Sequence, residues 1–456
     1  MDDTIILELG DTAPLRLRHC YEGIMIMGAT GSGKTSGSGD YLARSLLKNN
    51  LGGLVLCAKS DEAKRWSNLA AATGRAKDIC LISPESDKRF NFLRYEQKRP
   101  GRGAGHTENI VDLLYEAIAA LERGQAGGQS NDPYWERAAK ALLRNAITLV
   151  LLADARLTLD RLIDIILEMS ELSDAASSDP SFYNANLYRT EYARLVDLAV
   201  NKTLTPRQKK DLKVTDDYWR KEFKVLKDTQ RASIISVFTS MADGLRRGVL
   251  ADLFGTTTNI VPELSREGTI FILDLDVKEF LALGKIAQII FKTQWQKAME
   301  RIPQGRPVFL FADECHNFIT QSDLSFQSTT RSARVVTCLL TQNYPLLQTE
   351  LGGKDADTRI DALMGNLKNK FFHANDCKIT NAWASELIQQ EEKNRIDLSK
   401  ESWQSRKDRQ WRVPPETFLY LRTGGTDFDY KVDGIFFRAP DWRLVTFDQH
   451  RPRIRQ

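Results

Sequence analysis

Ile24-Met25-Ile26-Met27 runs directly into Gly28-Ala29-Thr30-Gly31-Ser32-Gly33-Lys34-Thr35. The first four residues are a short apolar stretch of strand character. The next eight satisfy the spacing G-x4-G-K-[ST] of a phosphate-binding loop. Each position has a physical reason. Glycines let successive backbone amides curl around an anion without a Cβ in the way. A helix that follows directs the positive end of its dipole at the same anion. Lys34 is placed to reach the β- and γ-phosphates, and the Thr35 hydroxyl to hold Mg2+. A chance match in a chain of this composition is about 1 in 70, and the preceding strand lowers that further. ATP with Mg2+ is therefore the expected ligand, cradled by Gly28, Ala29, Thr30, Gly31, Ser32, Gly33, Lys34 and Thr35.

Such a loop needs an acid at the end of a second buried strand. Val308-Phe309-Leu310-Phe311-Ala312-Asp313-Glu314 supplies two. Asp313 is expected to serve the metal through water, and Glu314 to polarise the attacking water. A third apolar run, 335–340, is followed by Gln342, whose amide is placed to sense the γ-phosphate or the water. Arg331 and Arg334 flank the start of that run. An arginine from a neighbouring subunit stabilises transition-state charge in phosphoryl transfer; capping the strand at the surface is the competing reading for both.

Around these motifs the chain alternates short apolar runs with helical stretches. Leu54-Val55-Leu56-Cys57, Ile79-Cys80-Leu81-Ile82, Ile270-Phe271-Ile272-Leu273 and Lys370-Phe371-Phe372 read as further strands, with helices over 41–48 and 285–301. Buried strands joined by helices make an α/β fold with a mainly parallel sheet. Glycine-rich, partly basic loops at 98–103 and 123–128 surround a helix over 108–121. From Asn131-Asp132-Pro133, a helix-start signal, the pattern is helical for about 120 residues. Trp135, Ala138, Leu142, Leu143, Ala146, Leu149 and Val150 recur at helical spacing, and Thr158 is available to cap a helix over 159–169. The expected organisation is 1–130 and 256–456 as two parts of one nucleotide-binding domain, with 131–255 an all-helical insertion. The charged stretch 391–410 reads as exposed surface. Phe418-Leu419-Tyr420-Leu421 and Gly434-Ile435-Phe436-Phe437 read as edge strands forming a hairpin.

Composition narrows the classes. Of 456 residues, 42% are hydrophobic and 27% charged, which suits a soluble globular protein and excludes disordered, collagen-like and disulfide-scaffold chains. No apolar run approaches the roughly 20 residues of a membrane span. The acidic Met1-Asp2-Asp3-Thr4 lacks a signal-peptide profile, so a cytoplasmic location is expected. Six scattered cysteines without a CxxC pair read as reduced core residues, and no zinc pattern is present. Net charge is only +4, so a nucleic-acid role needs local clusters. Residues 207–231 hold nine Lys/Arg against five Asp/Glu, with Tyr218 and Trp219 interleaved. They read either as a phosphate-tracking face with stacking aromatics or as a solvated amphipathic helix. Lys98, Arg99 and Arg102 are candidates to reach a pore, and Arg451, Arg453 and Arg455 to form a basic arm.

Gly28 to Thr35, Phe311-Ala312-Asp313-Glu314 and Thr341-Gln342-Asn343 together resemble the conjugative coupling-protein family. These are the TraG/TraD-type ATPases of type IV secretion, within the FtsK/HerA superfamily. Asn91-Phe92-Leu93 and Asp132-Pro133-Tyr134-Trp135 are similar to other stretches of that family, as are Gly365-Asn366, Asp376, Thr380 and Val413-Pro414-Pro415. The resemblance implies a RecA-like fold and a hexameric ring with ATP at subunit interfaces. It also implies a motor that moves DNA, with attached protein such as a relaxase, to a secretion channel. Eleven residues before Gln342, Arg331 matches the family's trans-acting arginine. Two departures stand out. The family's membrane-anchored members carry N-terminal transmembrane helices, which this sequence does not show; membrane anchoring is therefore left open, with a partner at the inner membrane as one way to supply it. The family's Asp-x-Lys after the second strand is Cys57-Ala58-Lys59 here, leaving Lys59 alone. Two other functions fit the same motifs: a soluble FtsK/HerA-like translocase of DNA processing or phage defence, and a nucleotide switch that recruits protein substrates. Glu314 speaks against the switch, which needs no base there.

Overall fold

The structure, a computed structural model, describes residues 1–10, 13–123, 133–178, 180–352, 355–397 and 404–450. Asn131, Asp132, the glycine-rich 124–128 and the basic Arg451, Arg453 and Arg455 lie outside the described residues. The chain divides into two compact units. The first comprises Met1–Leu81, Glu263–Asp274 and Ala298–Gln456, and the second Ile82–Pro262 with Leu275–Lys297.

Thirteen strands are described: β1 Ile5–Leu7, β2 Leu15–Arg16, β3 Ile24–Met27, β4 Gly52–Leu56, β5 Ile79–Ile82, β6 Ile270–Leu273, β7 Val308–Ala312, β8 Val335–Thr341, β9 Asn369–Phe372, β10 Gln390–Asp397, β11 Gln404–Trp411, β12 Lys431–Arg438 and β13 Asp441–Asp448. Nine form one sheet in the order β13-β12-β9-β3-β8-β7-β4-β6-β5. Pairing is parallel from β9 through β3, β8, β7 and β4 to β6, and antiparallel at the β9–β12–β13 end. The central strands β3, β4, β7 and β8 are buried along their whole length. They read as continuous apolar runs because helices cover both faces of such a sheet. On one face Ile24, Ile26, Val55, Phe309, Phe311, Val336, Cys338 and Leu340 join Leu42, Leu46 and Trp66 of the helices Asp40–Lys48 and Glu62–Ala72 in a single apolar core.

One expectation at the carboxyl end is corrected. Residues 418–421 form no strand: Pro415–Leu419 is a tight helical turn, begun where Pro414 and Pro415 fix φ. The hairpin is instead β12 with β13, from Lys431↔Asp448 to Arg438↔Asp441. The charged stretch at 391–410 is also a strand pair, β10 with β11, running from Gln390↔Trp411 to Asp397↔Gln404.

The second unit is helical from Phe92–Lys98 to Gly248–Phe254. Leu142, Leu143, Ala146, Leu149 and Val150 are buried, as their spacing requires. Thr158 caps the helix Leu159–Ser178 by accepting from the Arg161 amide at 3.2 Å. Trp219 and Phe223 are fully buried, their ring centroids 5.0 Å apart. Trp219 is therefore a core residue and not a base-stacking platform. Arg231 is buried beside them, donating to the Leu226 carbonyl at 2.8 Å and to Asp228 at 2.6 Å, and to Asp174.

Phe311 anchors the centre of the sheet, fully buried with its ring 4.9 Å from Trp66. Phe311→Ala is expected to cost about 3–5 kcal/mol in urea unfolding, the range for emptying a packed aromatic site.

Candidate active site

The carboxyl ends of β3 and β8 are level, as are those of β7 and β4, with β8 running two residues past β7. Met27 pairs with Thr341, Leu339 with Ala312, and Ala312 with Leu56. Residues just past these ends therefore share one edge of the sheet: Gly28 onward, Gln342, Asp313-Glu314 and Cys57-Ala58-Lys59. Parallel α/β sheets bind ligands at this edge, because the connecting loops diverge there.

The loop after β3 is shaped by its glycines. Gly31 and Gly33 have φ of +76° and +80°, a region that side chains disfavour. A Cβ on Gly33 would lie 2.7 Å from Val432 and 3.0 Å from the Thr423 carbonyl. The helix does not start directly at Thr35. The Gly39 amide bonds the Lys34 carbonyl at 3.0 Å, five residues back, so Thr35–Gly39 is a widened turn before the helix Asp40–Lys48. Such turns are uncommon and cluster at functional positions.

The expected groups meet across this edge. Thr35 Oγ1 donates to Asp313 Oδ2 at 2.7 Å, joining segments 278 residues apart. Glu314 sits in the left-handed region at φ 48°, a conformation that costs a non-glycine residue about 1 kcal/mol or more. The Glu314 amide donates to Asp313 Oδ1 at 2.9 Å. Lys59 Nζ lies 2.9 Å and Lys34 Nζ 3.6 Å from Glu314 Oε1, and Gln342 Nε2 donates to the two carboxylate oxygens at 3.3 and 3.4 Å. Asp313 and Glu314 are nearly buried. Burial alone pushes the Glu314 carboxyl up, but the Lys34 charge and the Lys59 and Gln342 hydrogen bonds together hold it below the ordinary range. Burial likewise works against the Lys59 charge, and the Glu314 hydrogen bond with the neighbouring carboxylates outweighs it, raising the ammonium.

Arg331 is not part of this cluster. It is exposed on the helix Gln321–Ala333, at the amino end of β8. Gln342 follows the other end of that seven-residue strand, about 20 Å away at roughly 3.3 Å per residue. Arg334 caps the same end, 2.6 Å from Asp2. Arg99 is a buried ion pair with Glu96 at 2.7 Å and does not extend outward, whereas Lys98 and Arg102 are exposed.

Three neighbours of the site carry no motif. Glu62, buried, accepts from the Ala58 amide at 2.7 Å and the Lys59 amide at 3.4 Å, and so shapes the loop that presents Lys59. In sequence it reads as an ordinary acid in a helix's first turn. His316 Nδ1 lies 3.8 Å from Glu314 Oε2, and the Asn375 side chain donates to the Gln342 carbonyl at 2.8 Å. Among the described residues no group of three or more His, Cys, Asp or Glu could hold a metal by itself. Thr35 and Asp313 fit Mg2+ of the kind that takes one or two protein oxygens and completes its shell with phosphate and water.

A parallel sheet with a phosphate loop at its edge, faced by an acid pair on a neighbouring strand, defines a RecA-like P-loop nucleotide-binding fold. The comparisons narrow this. Residues 307–415, which include β7, β8 and β9, match the family described as the TraM recognition site of TraD and TraG. The plasmid coupling protein TrwB in complex with a non-hydrolysable ATP analogue shares the fold at a TM-score of 0.60 and 14% identity, over 100% of this chain and 91% of that one. TrwB in complex with ADP and Mg2+ matches at 0.57 and 14%, over 100% and 90%. VirB4 of Thermoanaerobacter pseudethanolicus matches at 0.56 and 10%, over 98% and 96%. No curated protein matches by sequence. Fold and matched segment together are of the TraG/TraD coupling-protein type.

Glu62 generates a pH effect. Burial, reinforced by the Asp313 charge, raises its carboxyl to about 8. The folded protein therefore keeps a proton that the unfolded chain loses near pH 4.5, and stability falls as pH climbs from about 4.5 to about 8. Glu62→Gln is expected to flatten that slope in thermal melts of nucleotide-free protein taken between pH 5 and 8.

Proposed function

We propose that this chain is an ATP-hydrolysing motor that couples DNA, with attached protein, to a type IV secretion or conjugation channel, using nucleotide sites shared between subunits of a ring. The 2.7 Å contact between Thr35 and Asp313, with Glu314 beside it, carries the reading. It is the arrangement that Mg2+ and a triphosphate need, assembled from distant parts of the chain. The TrwB structures with an ATP analogue and with ADP and Mg2+ support the choice of ligand. The match at 307–415 supports a partner belonging to the DNA-processing complex of conjugation.

Lys34, tied to Glu314 here, turns to the β- and γ-phosphates when nucleotide enters. The Thr35 hydroxyl and the Asp313 carboxylate would hold Mg2+, which would supply positive charge to offset that of the phosphates. Glu314, still supported by Lys59, accepts a hydrogen bond from the water that attacks the γ-phosphorus, and the Gln342 amide orients that water. Arg331 projects from the opposite end of β8, so it acts on a neighbour's nucleotide and not on its own. Closing and reopening of such shared interfaces in sequence drags DNA through the ring. Exposed Lys209, Lys210 and Lys213 on the helix Pro206–Asp217 offer phosphate contacts. No described helix is long and apolar enough to cross a membrane.

The test is ATPase rate with and without DNA, on protein whose mass is measured by light scattering. DNA should accelerate turnover, with a steep salt dependence. A rate indifferent to DNA in the assembled protein counts against the motor and favours the nucleotide switch. Lys34→Ala should abolish nucleotide binding in calorimetry. Glu314→Gln should keep binding and lower turnover by about 10²-fold or more. Arg331→Ala should lower turnover by about 10³-fold in the assembly alone, and unchanged turnover there removes the finger. Mixing Lys34→Ala with Arg331→Ala subunits should restore part of the activity if sites are shared.

A further inference from the structure

Behind the phosphate loop sits an imidazole that no motif announces. His373 follows β9 and is completely buried. Its Nδ1 lies 2.8 Å from the Asp433 carbonyl oxygen, and its Nε2 lies 2.7 Å from Ser38 Oγ. A carbonyl can only accept, so the proton is on Nδ1. Nε2 is then the acceptor, and the Ser38 hydroxyl donates to it. Of the two neutral tautomers, only this one satisfies both ring nitrogens. Burial keeps it neutral, lowering the imidazole to about 4, with the Lys34 charge acting in the same direction.

Three glycines lie around His373 and its neighbour Val432. A Cβ on Gly28 would come within 2.8 Å of His373 Cβ, and one on Gly434 within 2.9 Å of Cε1. One on Gly37 would stand 3.6 Å from Cε1 while already clashing with Val432 at 2.9 Å. Two of these glycines belong to the phosphate loop and its widened turn, and the third to β12. Ser38 lies inside that turn, its Oγ 3.4 Å from the Lys34 carbonyl, the same oxygen that the Gly39 amide bonds. The imidazole therefore holds the hydroxyl that lies against the backbone of Lys34.

We propose that His373 is a positioning residue for nucleotide binding. Through Ser38 it fixes the widened turn, so that Lys34, Thr35 and their amides face the phosphates in one geometry. It does not touch the reacting atoms. The inference rests on the nucleotide-binding reading above. Other contacts tie this segment to the end of β13: Gln449 donates to Ser36 Oγ in the turn at 2.8 Å, and Tyr41 OH, in the helix that follows, donates to the Asp448 carbonyl at 2.8 Å. His373 is the member of this set that is fully buried and bonded on both sides.

The test compares wild type with His373→Gln and Ser38→Ala. For each, calorimetry gives the Kd of Mg-ADP, steady-state ATPase assays give KM and kcat, and a thermal melt reports folding. Loss of one buried hydrogen bond from a preorganised loop should raise the ADP Kd and the ATP KM together by about 5- to 30-fold. kcat at saturation should stay within about twofold, because Glu314 and Gln342 are untouched. Ser38→Ala removes a single hydroxyl and decides the matter alone if His373→Gln does not fold. Kd and KM within about twofold of wild type overturn the proposal. So does a fall in kcat at constant KM, or a lowered melting temperature with unchanged affinity of the folded fraction. Wild-type protein that takes up no Mg-ADP refutes the nucleotide reading itself, a result distinct from normal uptake by both variants.

Discussion

A carboxylate held between two ammonium groups governs this edge of the sheet. Glu314 is almost out of water, at a backbone angle that glutamate disfavours, and is kept there by Lys34 on one strand end and Lys59 on another. An unpaired charge in that position would be several kcal/mol out of balance, so the three loops are bound to one another by electrostatic necessity. The register of these strand ends makes the arrangement possible. Slipping β7 against β4 or β8 by one residue would turn Asp313 to the other face and dissolve both the acid pair and its contact with Thr35. The large apolar core beneath the sheet fixes the register that the small polar site requires.

Much of this was legible in the sequence because two signals coincide. The strand Ile24–Met27 is apolar without alternation, and the loop after it obeys a spacing dictated by phosphate geometry. The same holds for Val308 to Glu314. Strand-end residues such as Gln342 follow once the parallel order is assumed. Less legible were the groups whose role is tertiary. Glu62 and His373 have no local signature; one looks like a helix-start acid and the other like an isolated histidine. Their significance arises from burial against segments hundreds of residues away. Trp219 and Arg231 lay in a stretch that left two readings open for a related reason. In a basic stretch they suggest a nucleic-acid surface, yet each is large enough to be worth burying, and the helical unit buries both. At the carboxyl end, turn chemistry at Pro414-Pro415 overrode the strand propensity of Phe418 to Leu421.

The carboxyl-terminal hairpin gives the phosphate loop a second wall. Val432 fills the space left by Gly33 and Gly37, while Asp433 and Asp448 bond His373 and Tyr41. Loops that bind phosphate through backbone amides gain from such bracing, since each amide ordered in advance need not be ordered by the ligand. Antiparallel addition at β9 is how the chain reaches this position after its last crossover.

The backbone twist at Glu314 has a consequence for how such a protein could change over time. Asparagine or glycine would sit at that φ with about 1 kcal/mol less backbone strain, yet either removes the base and strips Lys34 and Lys59 of their shared carboxylate. Relief of the backbone and loss of the ion pairs arrive together. A descendant freed from the demand to hydrolyse would gain no sturdiness by discarding the glutamate.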